Sequence, residues 1–136
     1  MSPILLDTHV AIWSSQGLVP KKIGSLIDGA AKNGELLLSP ISAWEIGMLV
    51  RKKRLSLTAS LDDYVRMLFS CRGVVIAMLT PAIAAASTTL SAGAGADPAD
   101  RILVATAVAY GARLATRDAR IVRYAGETGH IQVLSY

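Results

Sequence analysis

Ile4-Leu5-Leu6-Asp7-Thr8-His9-Val10 places three aliphatic residues in succession, then an aspartate, then residues at helical spacing. A half-buried strand alternates apolar and polar side chains, whereas an unbroken aliphatic run suits a strand covered on both faces. The same signature recurs at residues 36–38, 74–77 and 112–115. Helical spacing occupies the intervals, at residues 10–13, 23–31, 41–50, 61–69, 83–90 and 102–109. Residues 131–134 offer a further edge strand, and Asn33-Gly34 and Gly73 mark chain reversals. Strands alternating with helices predict an α/β fold: a mainly parallel sheet of four or five strands with helices on both faces, because parallel strands need crossover connections.

Residues 1–136 read as one domain, with no repeat, low-complexity segment or linker to divide them. The chain is 52% hydrophobic and 18% charged, which predicts extensive buried sheet and a subunit interface. No apolar stretch approaches the roughly 18–20 residues that cross a bilayer, so no membrane partner is expected. The start lacks the basic region and cleavage site of a signal peptide, which predicts a cytoplasmic setting. Cys71 is the single cysteine; it rules out an internal disulfide and is expected as a buried thiol.

In open parallel sheets, ligands bind beyond the carboxyl ends of the strands. Asp7 follows the first run, Glu45 lies in the helix after the second, Asp118 comes three residues after Ala115, and Asp100 starts the helix at Pro98. Each has a structural alternative. Ser42 and Glu45 have capping-box spacing, although Ser39-Pro40 is an equally good helix start that leaves Glu45 on a stripe with Ile41, Met48 and Leu49. Asp97 reads best as a helix cap before Pro98, while Asp100 shares the inward face of Leu103, Val104 and Ala107. Asp7 and Asp118 have the alternative of capping or turn residues.

Four carboxylates at one sheet edge repel one another unless a cation joins them. Their oxygen ligands suit Mg²⁺ or Mn²⁺ better than zinc. His9 and His130 lack metal-ligand spacing, and His9 reads as a helix residue. Such a centre points to phosphodiester hydrolysis. Fourteen Lys and Arg oppose ten Asp and Glu; with the four acids set aside, fourteen oppose six. Arg101, Arg113, Arg117, Arg120 and Arg123 flank two of the acids, and Arg51, Lys52, Lys53 and Arg54 end the helix carrying Glu45. A basic rim around an acidic pit suits a nucleic-acid substrate, with Arg51, Lys52, Arg101 and Arg117 as candidate contacts to it.

Leu6-Asp7-Thr8-His9, Ser42-Ala43-Trp44-Glu45-Ile46, Asp97-Pro98-Ala99-Asp100-Arg101 and Leu114-Ala115-Thr116-Arg117-Asp118, in this order, resemble the PIN-domain pattern over nearly the whole chain. Spacing and length are similar to those of VapC toxins of bacterial toxin–antitoxin pairs. The resemblance implies a three-layer α/β/α fold and a Mg²⁺- or Mn²⁺-dependent endoribonuclease, usually a homodimer, neutralised by a VapB-type antitoxin. Carried onto this sequence, the metal-binding and catalytic acids are Asp7, Glu45, Asp100 and Asp118, supported by Thr116 and with Asp97 as an auxiliary acid.

The competing readings separate on particular residues. Receiver and haloacid-dehalogenase-like domains need a lysine late in the chain, and none follows Lys53. Gly93-Ala94-Gly95 does not link a first strand to its helix, as a dinucleotide-binding loop would. A PIN-like module that binds RNA or protein without cleaving, and an RNA-processing nuclease without an antitoxin, are the remaining alternatives.

Overall fold

Leu5 is the centre of the structure: its strand β1 (Ile4–Leu6) is hydrogen-bonded on both sides, and all three residues are buried. The computed structural model describes residues 2–136. Around β1 run β2 (Leu36–Leu38), β3 (Val74–Ile76), β4 (Arg113–Ala115) and β5 (Val133–Leu134), in the spatial order β3-β2-β1-β4-β5. Every neighbouring pair is parallel; Leu5 registers with Leu37 on one side and Leu114 on the other. This is the sheet that the unalternating aliphatic runs predict.

Seven α-helices flank it: α1 (Thr8–Ser15), α2 (Lys21–Lys32), α3 (Pro40–Arg51), α4 (Leu61–Ser70), α5 (Pro81–Ser87), α6 (Pro98–Tyr110) and α7 (Ala119–Thr128). Alternate strand residues feed two cores, because successive side chains point to opposite faces. Ile4, Leu6, Leu36 and Leu38 pack with Val10, Ile27 and Ile46, while Leu5, Leu37 and Leu114 pack with Leu103, Val104 and Ile121. The result is a three-layer α/β/α arrangement.

Local chemistry sets the boundaries. Ser39 caps α3 by accepting from the Ile41 amide, and Pro40 follows in the first turn. Gly73 has φ +87°, and a Cβ there would collide with the Ala31 carbonyl, so the turn into β3 requires glycine. The helix expected to reach residue 90 stops at Ser87. Ser87, Thr88 and Thr89 each donate a hydroxyl to the carbonyl three residues earlier, a local bond that competes with helix propagation.

Three further expectations are corrected. Helix α7 is absent from the sequence reading because its apolar residues are few; Ile121, Tyr124 and Ala125 nevertheless form a buried stripe at helical spacing. Strand β3 is not covered on both faces: it lies at the sheet edge, with Val75 and Ile76 each 43% exposed. Cys71 is exposed rather than buried, because it caps the solvent end of α4.

Candidate functional site

The order in which strands are added reverses at β1, with all strands parallel: β2 and β3 extend to one side, β4 and β5 to the other. The crossovers diverge at such a switch point and leave a crevice beyond the carboxyl ends of the central strands. There the structure places a pit of about 470 Å³ lined by Asp7, Glu45, Asp97, Asp100 and Asp118, with Trp13 and Arg117 in its wall. All four acids singled out as ligands thus reach one cavity: Asp7 from the end of β1, Glu45 from the second turn of α3, Asp100 from the first turn of α6 and Asp118 from the cap of α7 after β4.

Asp7 is the most enclosed, at 7% exposure. It occupies the N-cap position of α1 but makes no side-chain cap bond, so capping does not account for it. Thr116, fully buried at the end of β4, donates its hydroxyl to Asp7 Oδ2 at 2.6 Å. Thr116 Oγ1 in turn accepts from the Asp118 amide at 3.0 Å. One threonine therefore locks the first and last acids relative to each other. Burial pushes the Asp7 carboxyl above the ordinary aspartate range, and the Thr116 hydrogen bond pulls against it.

Glu45 is not the partner in a capping box, since Ser39 caps the helix. Ser42 instead turns its buried hydroxyl to Thr8 Oγ1 at 2.8 Å, and Thr8 donates to Glu45 Oε1 at 2.5 Å. Thr8 and Ser42 thus fix this carboxylate, a role for Thr8 that sequence reading missed. A threonine directly after the strand-end aspartate was the available signal, but its partner lies 37 positions away. Burial raises the Glu45 pKa, opposed by the Thr8 bond and reinforced by Asp7 and Asp97.

Asp97 fulfils its expected cap, accepting from the Ala99 amide through Oδ1. A carboxylate has a second oxygen, however, so capping and ligation are compatible. Glu45, Asp97 and Asp100 offer oxygens that all lie within 4.8 Å of one another. The tightest group therefore includes Asp97, which the sequence ranked as auxiliary, while Asp7 and Asp118 flank it. Asp118 likewise caps α7, accepting from the Arg120 and Ile121 amides through Oδ1. Asp100 feels the crowding most: burial first, then Asp97, Asp7, Asp118 and Glu45, push its pKa up to about 7. An all-oxygen set whose members raise one another's pKa fits a hard divalent cation.

The basic residues divide. Arg117 stands in the pit wall, its guanidinium 5.8 Å from the Trp13 ring centroid and 5.3 Å from that of Tyr136, aromatic faces that hold a cation in place. His9 is in α1 as expected, and its ring lies 5.6 Å from Trp13 at the rim. Lys52 lines an adjoining groove, and Arg51 is exposed at the end of α3. Arg101 corrects an expectation: its guanidinium donates to the carbonyls of Ser87, Leu90, Ser91 and Gly95. Four of its five N–H groups are thereby spent on holding the segment before Asp97, not left for RNA.

Comparison with known proteins agrees with this geometry. Residues 4–127 match the PIN domain. The chain is 33% identical over 122 residues to Ribonuclease VapC22 of Mycobacterium tuberculosis, covering 89% of this chain and 91% of that protein. Among solved structures, VapBC2 from Rickettsia felis, bound to a promoter DNA fragment, superposes with TM-score 0.70 over 97% of each chain at 15% identity. FitAcB from Neisseria gonorrhoeae superposes with TM-score 0.59 at 22% identity, covering 97% of this chain and 96% of that one. At these identities the structural likeness speaks for the fold. No helix among the described residues is long and apolar enough to cross a membrane.

Proposed function

The chain belongs to the PIN-domain family, and from that premise we propose that it is a Mg²⁺- or Mn²⁺-dependent endoribonuclease, the toxin of a VapBC-type pair. The observation that carries the reading is the convergence of Glu45, Asp97 and Asp100 within 4.8 Å, beside Asp7 and Asp118, at the switch point of the sheet. Asp7, Glu45, Asp100 and Asp118, with Asp97 alongside, would hold the cation, which would supply Lewis acidity and charge neutralisation for hydrolysis of a phosphodiester.

The chain's own residues do the rest. Thr116 and Thr8 orient Asp7 and Glu45 so that their carboxylates converge without side-chain rearrangement. Arg117, braced by Trp13 and Tyr136, presents a cation to a phosphate entering the pit. Arg51 and Lys52 add salt-sensitive attraction for the polyanion. Arg101 keeps the Asp97 segment in place.

The high identity to a ribonuclease named VapC favours RNA as substrate, and the VapBC2 complex among the fold's neighbours favours a VapB-type antitoxin as partner. A homodimer fits the exposed apolar side chains at the β3 edge. The test is cleavage of RNA by the purified protein with Mg²⁺ or Mn²⁺. Cleavage should stop with EDTA and in Asp7→Asn and Asp100→Asn. Undiminished cleavage in chelator overturns the metal mechanism, and metal-independent RNA binding without turnover favours the non-catalytic module.

A further inference from the structure

Beside the acidic pit, and sharing His9, Glu45 and Asp97 with it, lies a second groove of about 560 Å³. One wall is Trp44 and Met48, four residues apart on one face of α3, continued by Lys52 at the helix C-cap. The facing wall is Ala96 and Pro98, and Arg54 closes the outer end with Lys52. Trp44 is 55% exposed, the most exposed aromatic ring among the described residues. Its neighbours Glu45 and Ile46 turn into the pit and the core, so the same helix turn that fixes a carboxylate holds this indole open to solvent.

We propose that this groove is a nucleobase subsite: Trp44 stacks a base of single-stranded RNA next to the phosphate held in the pit, while Lys52 and Arg54 bind the backbone phosphates beyond it. The inference rests on the nuclease reading for its substrate. An aromatic face flanked by cations is the combination that holds single strands, since every base has a π-face and every step a negative charge. A protein anchor would use the apolar residues of the groove, but Lys52 and Arg54 in its lining favour a polyanion. Base stacking here gives the enzyme a grip independent of the metal, which positions one phosphodiester of a chain over the acids.

The experiment measures binding of a short fluorescein-labelled single-stranded oligoribonucleotide to the Asp7→Asn protein, with and without a second substitution. Trp44→Ala should weaken binding by roughly 5–150-fold, since stacking is worth about 1–3 kcal/mol per base; Trp44→Phe should retain most of it. Placing a single abasic ribose at successive positions should reveal one position whose loss matters with Trp44 present and costs nothing further in Trp44→Ala. Unchanged binding in Trp44→Ala, or an abasic penalty that persists in it, overturns the proposal. So does a substitution that weakens only a VapB-type peptide, which assigns the groove to a protein partner. If Trp44-dependent binding holds but the wild type fails to cleave with Mg²⁺ or Mn²⁺, the subsite stands and the nuclease reading falls.

Discussion

Asp100→Asn removes a charge from the most crowded carboxyl in the pit while preserving its shape, and in the metal-free protein it should raise stability above neutral pH. The folded-state pKa of Asp100 is pushed from 3.8 up to about 7. A group raised in this way opposes folding least below its unfolded pKa, where both states hold the proton, and most above its folded pKa, where both are ionised. The difference between variant and wild type should therefore be near zero at about pH 4 and complete by about pH 8. Three units at about 1.36 kcal/mol each set a ceiling near 4 kcal/mol. Asp100 is half-buried, and solvent screening reduces this to about 1–2 kcal/mol, roughly 5 °C in Tm for a chain of this size. The assay is thermal unfolding of both proteins in EDTA across that pH range, repeated with excess Mg²⁺ or Mn²⁺. The cation should raise the wild-type Tm at about pH 8 and the variant's less, which narrows or inverts the gap. A Tm difference independent of pH, or a variant less stable than wild type at about pH 8, refutes the argument that mutual repulsion governs the site.

Thr116→Val removes both the donor to Asp7 and the acceptor for the Asp118 amide; it should weaken Mn²⁺ binding by about 10–100-fold, with Thr116→Ser retaining most of the affinity. Calorimetric titration showing wild-type affinity in Thr116→Val would remove Thr116 from the site's support. Val75, Ile76, Met67 and Met78 are exposed apolar side chains on β3 and the segments before and after it, so the protein should sediment as a homodimer at micromolar concentration and Ile76→Glu as a monomer. A wild-type monomer, or a dimer indifferent to the substitution, argues against that face. A VapB-type segment that inserts an arginine among the acids should lose at least roughly tenfold in affinity, about 1.4 kcal/mol, in excess Mg²⁺ or in Asp7→Asn with Asp118→Asn; unchanged affinity in both places the inhibitory contact elsewhere.

The sequence by itself determined the layered architecture and the sheet edge at which the acids gather. Short unalternating aliphatic runs between helical segments favour strands of a sheet covered on both faces, and parallel strands force helical crossovers. Asp7, Glu45, Asp100 and Asp118 then fall where such sheets leave a crevice. Local chemistry also showed in the caps at Ser39 and Asp97, because a cap acts within a few residues of itself. Only the tertiary structure decided which carboxylates are nearest neighbours: Asp97 joins Glu45 and Asp100 because α3 and α6 meet in space, and no spacing along the chain encodes that distance. The Ser42–Thr8–Glu45 chain likewise joins α1 to α3 across 34 and 37 positions, and the Thr116–Asp7 bond joins residues 109 positions apart. Arg101 read as a basic contact because charge is visible in a sequence and hydrogen-bond saturation is not; four carbonyls from a folded loop reassigned it. Strand β3 showed the limit from the other side: its side chains are as aliphatic as those of β1, and only its place at the sheet edge leaves them exposed, since burial belongs to the neighbours a residue acquires on folding and not to the residue itself.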